Sequence, residues 1–465
     1  YLTKNNMITL SLSQLASILD AQLLGDGALT VENVSTDSRQ SISKGLFFAL
    51  KGEHFDAHHY LDKAAEQGCI AAVVERQTNA SIAQLVVKDT RLALGQLAKW
   101  LREKINPKTV AMTGSSGKTT VKEMTAAILQ QSAVDFDDVL FTHGNFNNDI
   151  GVPLTLLRLT QQHKFAVIEL GANHIGEIAY TTALAQPDVA LVNNVAAAHL
   201  EGFGSLDGVA TAKGEIYRGL TSNGTAIINL AHNYQQKWQA EIGDHSVQYF
   251  AYDNPQADYY AENIVFSEQG ASFLLHTPKG SIQIHSSYLG EHNVSNALAA
   301  TALAMNVGAS LQDVQNGLAM KSQVKGRLFP IEPCENLLLL DDTYNANVGS
   351  MKSAISVLQK YPAFRVFVVG DMAELGDNTQ LCHQEVADFA HAAKLDLVLS
   401  CGHASEVISA VNSGKHFTDK TELANYLISV IKQQVTEQKV VVLVKGSRSM
   451  KMENVIDLLK DSFLC

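Results

Sequence analysis

The sequence of 465 residues has few of the features that mark several large classes of protein. Its five cysteines are scattered and form no C-x-x-C pair, so the sequence indicates neither a disulfide framework nor a zinc site. No apolar run approaches the length needed to cross a bilayer, and the first residues lack the basic and then apolar pattern of a signal peptide. We therefore expect a cytoplasmic protein with reduced thiols and no membrane contact.

Positive charge is also scarce, because 35 Lys and Arg residues stand against 47 Asp and Glu residues, a formal net charge of −12. Proteins that bind nucleic acid usually carry a basic surface, so no nucleic-acid partner is expected. Apolar residues are plentiful at 46%, with 18% charged, which is the composition of a folded enzyme. Since single hydrophobic cores stop growing at roughly 250–300 residues, the length predicts two or three domains.

One Gly-rich turn, Thr-Gly-Ser-Ser-Gly-Lys-Thr-Thr at 113–120, lies between a buried strand pattern and a helical one. Backbone N–H groups and a helix N-terminus can bind phosphates in that setting, with Lys118 reaching the β- and γ-phosphates and the Thr119 hydroxyl facing Mg²⁺. Met112 occupies the first glycine position of the usual pattern, so the loop is a shortened one. The turn predicts a nucleotide site but does not separate a kinase, a GTPase switch, an ATPase and a ligase. The predicted nucleotide-binding residues of the turn are Gly114, Ser115, Ser116, Gly117, Lys118, Thr119 and Thr120.

The order of strand and helix patterns predicts an α/β fold with three domains. Residues 1–88 alternate short β-like runs with helical stretches, which indicates a small α/β domain. In residues 89–324, buried strands alternate with helices around the Gly-rich turn, which predicts a central P-loop-type ATPase domain with a mostly parallel, doubly wound sheet. Within this domain, 209–218 is predicted to be a helix and the polar stretch 236–285 to be β-rich. The pattern restarts in residues 325–465 as a Rossmann-like domain, although G-x-G-x-x-G does not follow its first strand.

Six elements then occur in an order that is typical of one enzyme family. They are Gly114-x-x-Gly117-Lys118-Thr119, Glu169-Leu170-Gly171, Asn193-Asn194-Val195 through His199, Gly290-x-His292-Asn293-x-x-Asn296-Ala297, Gly326-Arg327 and Leu340-Asp341-Asp342. With these elements the chain resembles the Mur ligases over nearly its whole length. The resemblance implies an enzyme that uses ATP and Mg²⁺ to make an amide bond through an acyl-phosphate.

Four further segments are similar to the branch of that family that joins D-alanyl-D-alanine to UDP-N-acetylmuramoyl-tripeptide. The resemblance implies these two substrates as partners, a monomer, a role in cytoplasmic peptidoglycan precursor synthesis, and a first domain that binds the UDP part. The four segments are 144–151, 342–347, 370–376 and 445–448.

The metal-binding and catalytic residues are predicted partly from the chemistry of their side chains and partly from the resemblance. Glu169 ends a buried strand, where ligands bind in open α/β sheets, and a carboxylate suits Mg²⁺. Imidazole is not a typical magnesium ligand, so the resemblance alone makes His199 a ligand of a second Mg²⁺. Lys213 resembles a lysine that is carbamylated into an anionic ligand, and an exposed helical lysine is the alternative. The predicted metal ligands are Thr119, Glu169, His199 and Lys213, and the predicted catalytic residues are Lys118, Lys213 and His199.

The resemblance also implies nucleotide and substrate contacts. Asparagines at a helix start are otherwise common caps, and Arg327 and Asp342 could instead form structural pairs. The His54, His58 and His59 cluster is interpreted as a solvated loop rather than a metal site. Further nucleotide-binding residues are predicted to be His292, Asn293, Asn296, Arg327, Asp342 and Asn345. The predicted substrate-binding residues are Ser38, Arg39, Phe47, Asn145, Asn147, Asn148, Tyr344 and Asn347.

Three alternatives remain at this point: a Mur-like ligase that adds a diamino acid, a folylpolyglutamate synthetase, and a non-catalytic P-loop switch. The segments 145–148 and 371–374 argue against the first two. A switch would need only the phosphate loop. It would not need Glu169, His199, Asn293 and Arg327 together.

Overall fold

The computed structural model describes residues 7–196, 200–232, 234–322 and 324–463. Within these ranges, none of the helices has an apolar stretch that could span a bilayer. The strands form three larger sheets and one two-stranded ladder, with helices packed on their faces, so the predicted α/β class is confirmed. The three larger sheets lie within 1–88, 89–324 and 325–465, while the domain boundaries themselves stay predictions.

The first unit is built on a five-stranded sheet. Its elements are β1 (Leu10–Ser11), α1 (Leu12–Leu19), β2 (Gln22–Leu24), β3 (Thr30–Val31), β4 (Asn33–Ser35), β5 (Gly45–Phe48), α2 (Leu61–Glu66), β6 (Cys69–Val74) and β7 (Ala83–Val86). The strand order is β2-β7-β6-β5-β4, parallel except for β2, and β1 pairs with β3. The middle strands are apolar at successive positions because both faces of the sheet are covered.

The central unit holds a nine-stranded sheet. Its elements are α3 (Thr90–Ile105), β8 (Lys108–Thr113), α4 (Lys118–Ser132), β9 (Val139–Phe141), α5 (Gly151–Leu156), β10 (Phe165–Glu169), α6 (Glu177–Ala185), β11 (Val189–Val192), α7 (Leu200–Phe203), α8 (Leu206–Gly214), β12 (Thr225–Asn229), α9 (Gln235–Ile242), β13 (Ser246–Ala251), β14 (Tyr259–Ser267), β15 (Gly270–Thr277), β16 (Gly280–Ser286), α10 (Glu291–Met305) and α11 (Leu311–Leu318). The order is β16-β15-β14-β13-β12-β11-β8-β10-β9, and only β15 and β16 add antiparallel pairs.

The position of β8 explains where a ligand can bind. Its neighbours are β10 on one side and β11 on the other, so the chain crosses over β8 after β10. In open α/β sheets, ligands bind at the carboxyl ends of strands where the chain direction switches sides in this way. The turn at 113–120 follows β8 at that point.

The third unit has a six-stranded sheet. Its elements are β17 (Phe329–Cys334), β18 (Leu337–Asp342), α12 (Val348–Gln359), β19 (Phe364–Gly370), α13 (Thr379–Ala392), β20 (Leu397–Cys401), α14 (Glu406–Val411), β21 (Lys415–Phe417), α15 (Lys420–Gln434), β22 (Val440–Lys445) and α16 (Glu453–Phe463). The order is β17-β18-β22-β19-β20-β21, parallel except for β17.

Three local expectations need correction. The segment 236–285, predicted to be β-rich, opens with helix α9, because Trp238 and Ile242 four residues apart are both buried. The helix predicted at 209–218 begins earlier, as α8, and continues as a 3₁₀ turn after residue 214. His58 is buried rather than solvated: its Nδ1 lies 2.6 Å from Asp56 Oδ1, and its Nε2 accepts from Glu75 N–H at 2.9 Å.

Candidate active site between the two large sheets

The phosphate loop is shaped by two glycines between β8 and α4. Gly117 has φ +77°, and a Cβ on it would lie 2.5 Å from Asn193 Nδ2 and 2.6 Å from Asn296 Oδ1, so no larger residue fits. The N–H groups of the first turn of α4 have no partner within the helix. Such a helix end, entered through a tight glycine turn, is suited to an anion.

Asn193 and Asn194, to which the sequence analysis assigned no role, hold the loop in place. Asn194 accepts hydrogen bonds from Ser115 N–H at 3.1 Å and from Ser116 N–H at 2.9 Å. Asn193 Nδ2 donates to the carbonyl of Ser116 at 3.1 Å. The N–H groups of Ser115 and Ser116 therefore maintain the loop, and the phosphate-binding prediction depends on Gly117 and the first turn of α4. Their place in the motif at 193–195 was the only signal in the sequence.

Lys118 lies at the start of α4 and is half-buried. Its ammonium donates to the carbonyl of Gly114 at 2.8 Å. Removal from water lowers the pKa of Lys118, the charge of Glu169 opposes that effect, and the charge of Arg327 adds to it. The structure thus places a lysine, a carboxylate and an arginine around one loop.

Glu169 ends β10 and is 1% exposed. Its Oε1 accepts from Asn147 Nδ2 at 2.9 Å, whereas no described residue bonds to its buried Oε2. A buried carboxylate oxygen without a partner is costly, and a hard cation would satisfy it. Thr119 Oγ1 accepts from Arg327 Nη2 at 3.5 Å. The unpaired Oε2 of Glu169 therefore fits a Mg²⁺ ion, and Thr119 stays a predicted ligand.

The rest of the predicted metal set is less complete. In the ranges that the structure describes, no three His, Cys, Asp or Glu residues are grouped closely enough to hold a metal. His199 lies outside the described residues. Lys213 is 1% exposed in α8, so the alternative of an exposed lysine is wrong. Burial first, then repulsion by Lys118, lowers the pKa of Lys213 well below its usual value, which favours the neutral amine that carbamylation needs.

A cavity of about 440 Å³ opens from the phosphate loop toward α10 and the third unit. Asn293 and Asn296 share one face of α10, as their spacing predicts. However, Asn296 Nδ2 donates to Asn293 Oδ1 at 2.8 Å, and Asn293 Nδ2 donates to the carbonyl of Leu289 at 2.8 Å.

His292 also lines this cavity. Burial and then the charge of Lys445 lower the pKa of His292 to about 4. His292 is therefore a neutral side chain near pH 7.

Asp342 lines the same cavity from the third unit, but both of its oxygens are already hydrogen-bonded. Lys445 Nζ donates to Oδ2 at 2.6 Å, and Leu328 N–H donates to Oδ1 at 3.1 Å. Lys445 also donates to the carbonyl of Asn345 at 3.0 Å. The structural pairing considered as an alternative therefore describes the contacts of Asp342, and a contact with ribose stays a prediction. The partner Lys445 was missed in the sequence.

A second cavity, of about 290 Å³, opens from the other side of the phosphate loop. Asn145, Asn147, Tyr344, Asn345 and Asn347 line it, as do Lys118 and Glu169. The Arg327 guanidinium lies 4.3 Å from the centre of the Tyr344 ring. Five predicted residues from two distant parts of the chain thus meet around one opening. Asn347 has a structural task as well, since its Oδ1 caps α12 by accepting from Ser350 N–H at 2.9 Å.

The comparisons with known proteins identify the family of the chain. The family model of the Mur ligase middle domain matches residues 112–304, and the model of the Mur ligase, glutamate ligase domain matches residues 326–448. The chain is 64% identical over 461 residues to the UDP-N-acetylmuramoyl-tripeptide--D-alanyl-D-alanine ligase of Haemophilus influenzae, covering 99% of this chain and 100% of that one. The chain belongs to the Mur ligase family.

Two solved structures extend this comparison. MurF of Acinetobacter baumannii superposes with a TM-score of 0.92 at 39% identity, over 98% of this chain and 99% of that chain. MurF ligase of Thermotoga maritima, solved in complex with ADP, gives a TM-score of 0.81 at 26% identity over 92% and 97%. The expected membership of the Mur ligase family is confirmed, whereas no comparison tests the individual site residues.

For this Mur ligase, the structure does not bring four of the predicted substrate residues to the cleft. Phe47 is wholly buried in the core of the first unit, and its contact with the substrate stays a prediction. Asn148 Oδ1 accepts from Gly151 N–H at 2.8 Å and so caps α5. Arg39 pairs with Asp37 through two hydrogen bonds, at 2.9 and 2.8 Å, and Ser38 is buried beside it. Neither Ser38 nor Arg39 lines the two cavities of the cleft.

Proposed function

We propose that the chain is an ATP-dependent ligase that joins D-alanyl-D-alanine to UDP-N-acetylmuramoyl-tripeptide. The relative of Haemophilus influenzae carries that name at 64% identity. The observation that carries the proposal is that two cavities open from one phosphate loop, and that Gly117 and Arg327 line both. A nucleotide in one cavity and an acceptor in the other would meet at the γ-phosphate. A non-catalytic P-loop switch would need only one cavity.

In the first step, the terminal carboxylate of the UDP-linked tripeptide attacks the γ-phosphorus of ATP, and the bond to the β,γ-bridging oxygen breaks. The products are an acyl-phosphate and ADP. Lys118 and the N–H groups of the first turn of α4 would neutralise the charge that spreads over the transferred phosphoryl oxygens, a role that the position of Lys118 at the start of α4 supports. The protein itself supplies no nucleophile.

In the second step, the amine of D-alanyl-D-alanine attacks the acyl carbonyl, the amide bond forms, and inorganic phosphate leaves while the amine loses a proton. Water in the cleft would hydrolyse the acyl-phosphate. Arg327 and Asn347 of the third unit reach across to the central unit, where they bond to Thr119 Oγ1 at 3.5 Å and to the Ser115 carbonyl at 3.4 Å. We assign to these contacts the exclusion of water from the reacting groups.

Mg²⁺ belongs to this proposal. Thr119 and the unpaired Oε2 of Glu169 would hold one ion and His199 a second, with a carbamylated Lys213 as a further predicted ligand. When bound, the ion supplies charge neutralisation and alignment of the phosphates. Asn147 would orient Glu169 through its hydrogen bond to Oε1.

The setting of the reaction follows from its reactants. ATP is supplied inside the cell, so we propose a cytoplasmic enzyme of peptidoglycan precursor synthesis. One chain contributes the residues that line both cavities, so we propose that the monomer is the active unit.

The deciding experiment measures phosphate release from ATP by the purified protein while each substrate is omitted in turn. We expect release only with UDP-N-acetylmuramoyl-tripeptide and D-alanyl-D-alanine together, and an amide product by mass spectrometry. Replacing the pair by the dipeptide precursor with a diamino acid, or by a folate with glutamate, tests the two other ligases. ATP binding without turnover in every combination would refute the ligase and favour a switch.

A further inference from the structure

A third cavity, of about 420 Å³, lies between the first and central units, apart from the two that open from the phosphate loop. We call it the Arg158 cavity. The segment 34–37 forms one wall, and His143, Phe146 and Arg158 of the central unit form the opposite wall. The resemblance implied that the first domain binds the UDP part, with Ser38 and Arg39 among the substrate-binding residues, but it gave no role to His143 or Arg158.

Arg158 is the distinctive residue of this cavity. Its Nη2 donates to His143 Nε2 at 3.3 Å, and its Nη1 donates to the carbonyl of Phe141 at 3.5 Å. Burial lowers the pKa of Arg158, and no acidic group opposes that effect. Among the described residues, no carboxylate forms an ion pair with the guanidinium. A half-buried arginine normally has such a partner, because an unpaired charge away from water is costly.

The surroundings do not neutralise this charge. Burial, then the charges of Arg158 and Lys122, lowers the pKa of His143 to about 4, so its ring is a neutral acceptor near pH 7. Of the described residues that line the cavity, Asp37 is the one acidic residue. Its oxygens accept two hydrogen bonds from the Arg39 guanidinium, the main cause of its pKa of about 2. The cavity therefore carries a positive charge that has no counter-ion in the part of the chain that the structure describes.

The position of the cavity links it to the reaction. Phe146 lines the Arg158 cavity, while the next residue, Asn147, lines the cavity at the phosphate loop and bonds to Glu169. One short loop thus separates the two cavities. A long substrate could place one end beside Arg158 and its reacting carboxylate beside Glu169.

We propose that the Arg158 cavity binds an anionic oxygen group of the UDP-linked substrate through the Arg158 guanidinium, an inference that depends on the proposed function. The planar fork of arginine can donate two parallel hydrogen bonds to such a group. Two parts of that substrate have suitable oxygens, namely the diphosphate and the carboxylates of the peptide. On the wall formed by the first unit, Thr36 and Gln40 line the Arg158 cavity as well, and their side chains can donate hydrogen bonds to the same group.

The test compares Arg158→Met and Arg158→Lys with a matched control, Arg218→Met. Arg218 is an exposed arginine of the same unit whose guanidinium pairs with Glu241 at 2.7 and 2.8 Å. Losing charge-assisted hydrogen bonds should raise the KM of the UDP-linked substrate roughly 10- to 100-fold in Arg158→Met. The kcat and the KM of ATP should stay within about twofold, as should every constant of the control. The KM of the UDP-linked substrate in Arg158→Lys should lie between the values of the wild type and Arg158→Met, because lysine keeps the charge but lacks the planar fork of arginine.

Calorimetric binding of UDP and of uridine to each variant identifies the source of the oxygens. Weaker UDP binding with unchanged uridine binding assigns the diphosphate. Unchanged UDP binding with a raised KM for the tripeptide substrate assigns a peptide carboxylate. Wild-type constants for both Arg158 variants would overturn the inference. If Arg158→Met does not fold, wild-type behaviour of Arg158→Lys alone would do so. Failure of the proposed function is a separate result: the wild type would then form no amide product.

Discussion

The nine-stranded and six-stranded sheets present buried charged groups to the same cleft, but they treat those groups differently. On the central wall, Glu169 Oε2 has no hydrogen-bond partner among the described residues. The same holds for the hydroxyl of Thr113 at the end of β8. On the wall of the third unit, Asp342 is bonded at both oxygens, to Lys445 and to the backbone of Leu328. Each sheet has a carboxylate at the end of a strand, and only one of the two is left with an open oxygen.

The difference indicates which wall meets the ligand charges and which wall is scaffold. Unpaired buried oxygens are costly, so they persist where a ligand satisfies them. On the third unit, Arg327 Nε is also buried without a partner, and Arg327 reaches the central wall. The other unpaired buried atoms described in that unit, Tyr361 Oη and Glu453 Oε2, belong to residues that line neither cavity of the cleft. The third unit therefore contributes a rigid base from which one arginine extends.

The largest expected effect concerns the third unit, whose buried charges are paired within the protein. Lys445→Met should lower the free energy of unfolding by about 3–5 kcal/mol, because it leaves the buried Asp342 carboxylate without its main partner. Urea unfolding of the variant measures this loss. The double variant Asp342→Asn with Lys445→Met should recover much of it, since no unpaired charge remains. A loss below about 1 kcal/mol in the single variant would mean that the pair is not structural.

The next effect concerns the ligand side. Lys118→Ala should lower kcat roughly 100- to 1000-fold, because a positive charge facing the transferred phosphoryl group is lost. Its melting temperature should stay near that of the wild type. Lys108→Ala, an exposed lysine at the opposite end of β8, is the matched control and should keep full activity. Retained turnover in Lys118→Ala would show that the loop has another task.

The same contrast explains what the sequence could and could not predict. Strands β10, β11 and β12 were predictable as continuous apolar runs, and the phosphate loop was predictable because two glycines follow such a strand. Hydrogen bonds between side chains that are far apart in the sequence were not predictable. Lys445 and Asp342 are 103 residues apart, as are Asn193 and Asn296, and no local pattern marks either contact.

Burial was the other property that the sequence left open. Phe47 and Lys213 both stand in segments that resemble functional ones, yet Phe47 lies wholly in a core while Lys213 is buried beside the phosphate loop. The side on which a strand or helix residue points depends on what packs against that element from elsewhere in the chain. A helix signal at Trp238 and Ile242 was present and was outweighed by the polar composition around it.

A smaller expected effect tests whether the unpaired Oε2 of Glu169 binds Mg²⁺. Glu169→Gln keeps an acceptor for Asn147 but removes the charge that would hold Mg²⁺. We expect about tenfold more Mg²⁺ for half-maximal activity, with kcat largely restored at saturating Mg²⁺. A magnesium titration of phosphate release measures this shift, with the exposed Glu103→Gln as the control. An unchanged titration would remove Glu169 from the metal site.

The smallest effect tests how Arg327 is held in its extended position. Its guanidinium stacks at 4.3 Å over the Tyr344 ring, a contact of about 0.5–1 kcal/mol at a partly exposed site. Tyr344→Leu should therefore raise the KM of ATP about two- to fivefold, while Tyr344→Phe, which keeps the ring, should change it less. Steady-state kinetics at varied ATP separate the two variants. If the phenylalanine variant were as impaired as the leucine variant, the tyrosine hydroxyl would be the important group, and Arg327 would depend on the central wall alone for its position.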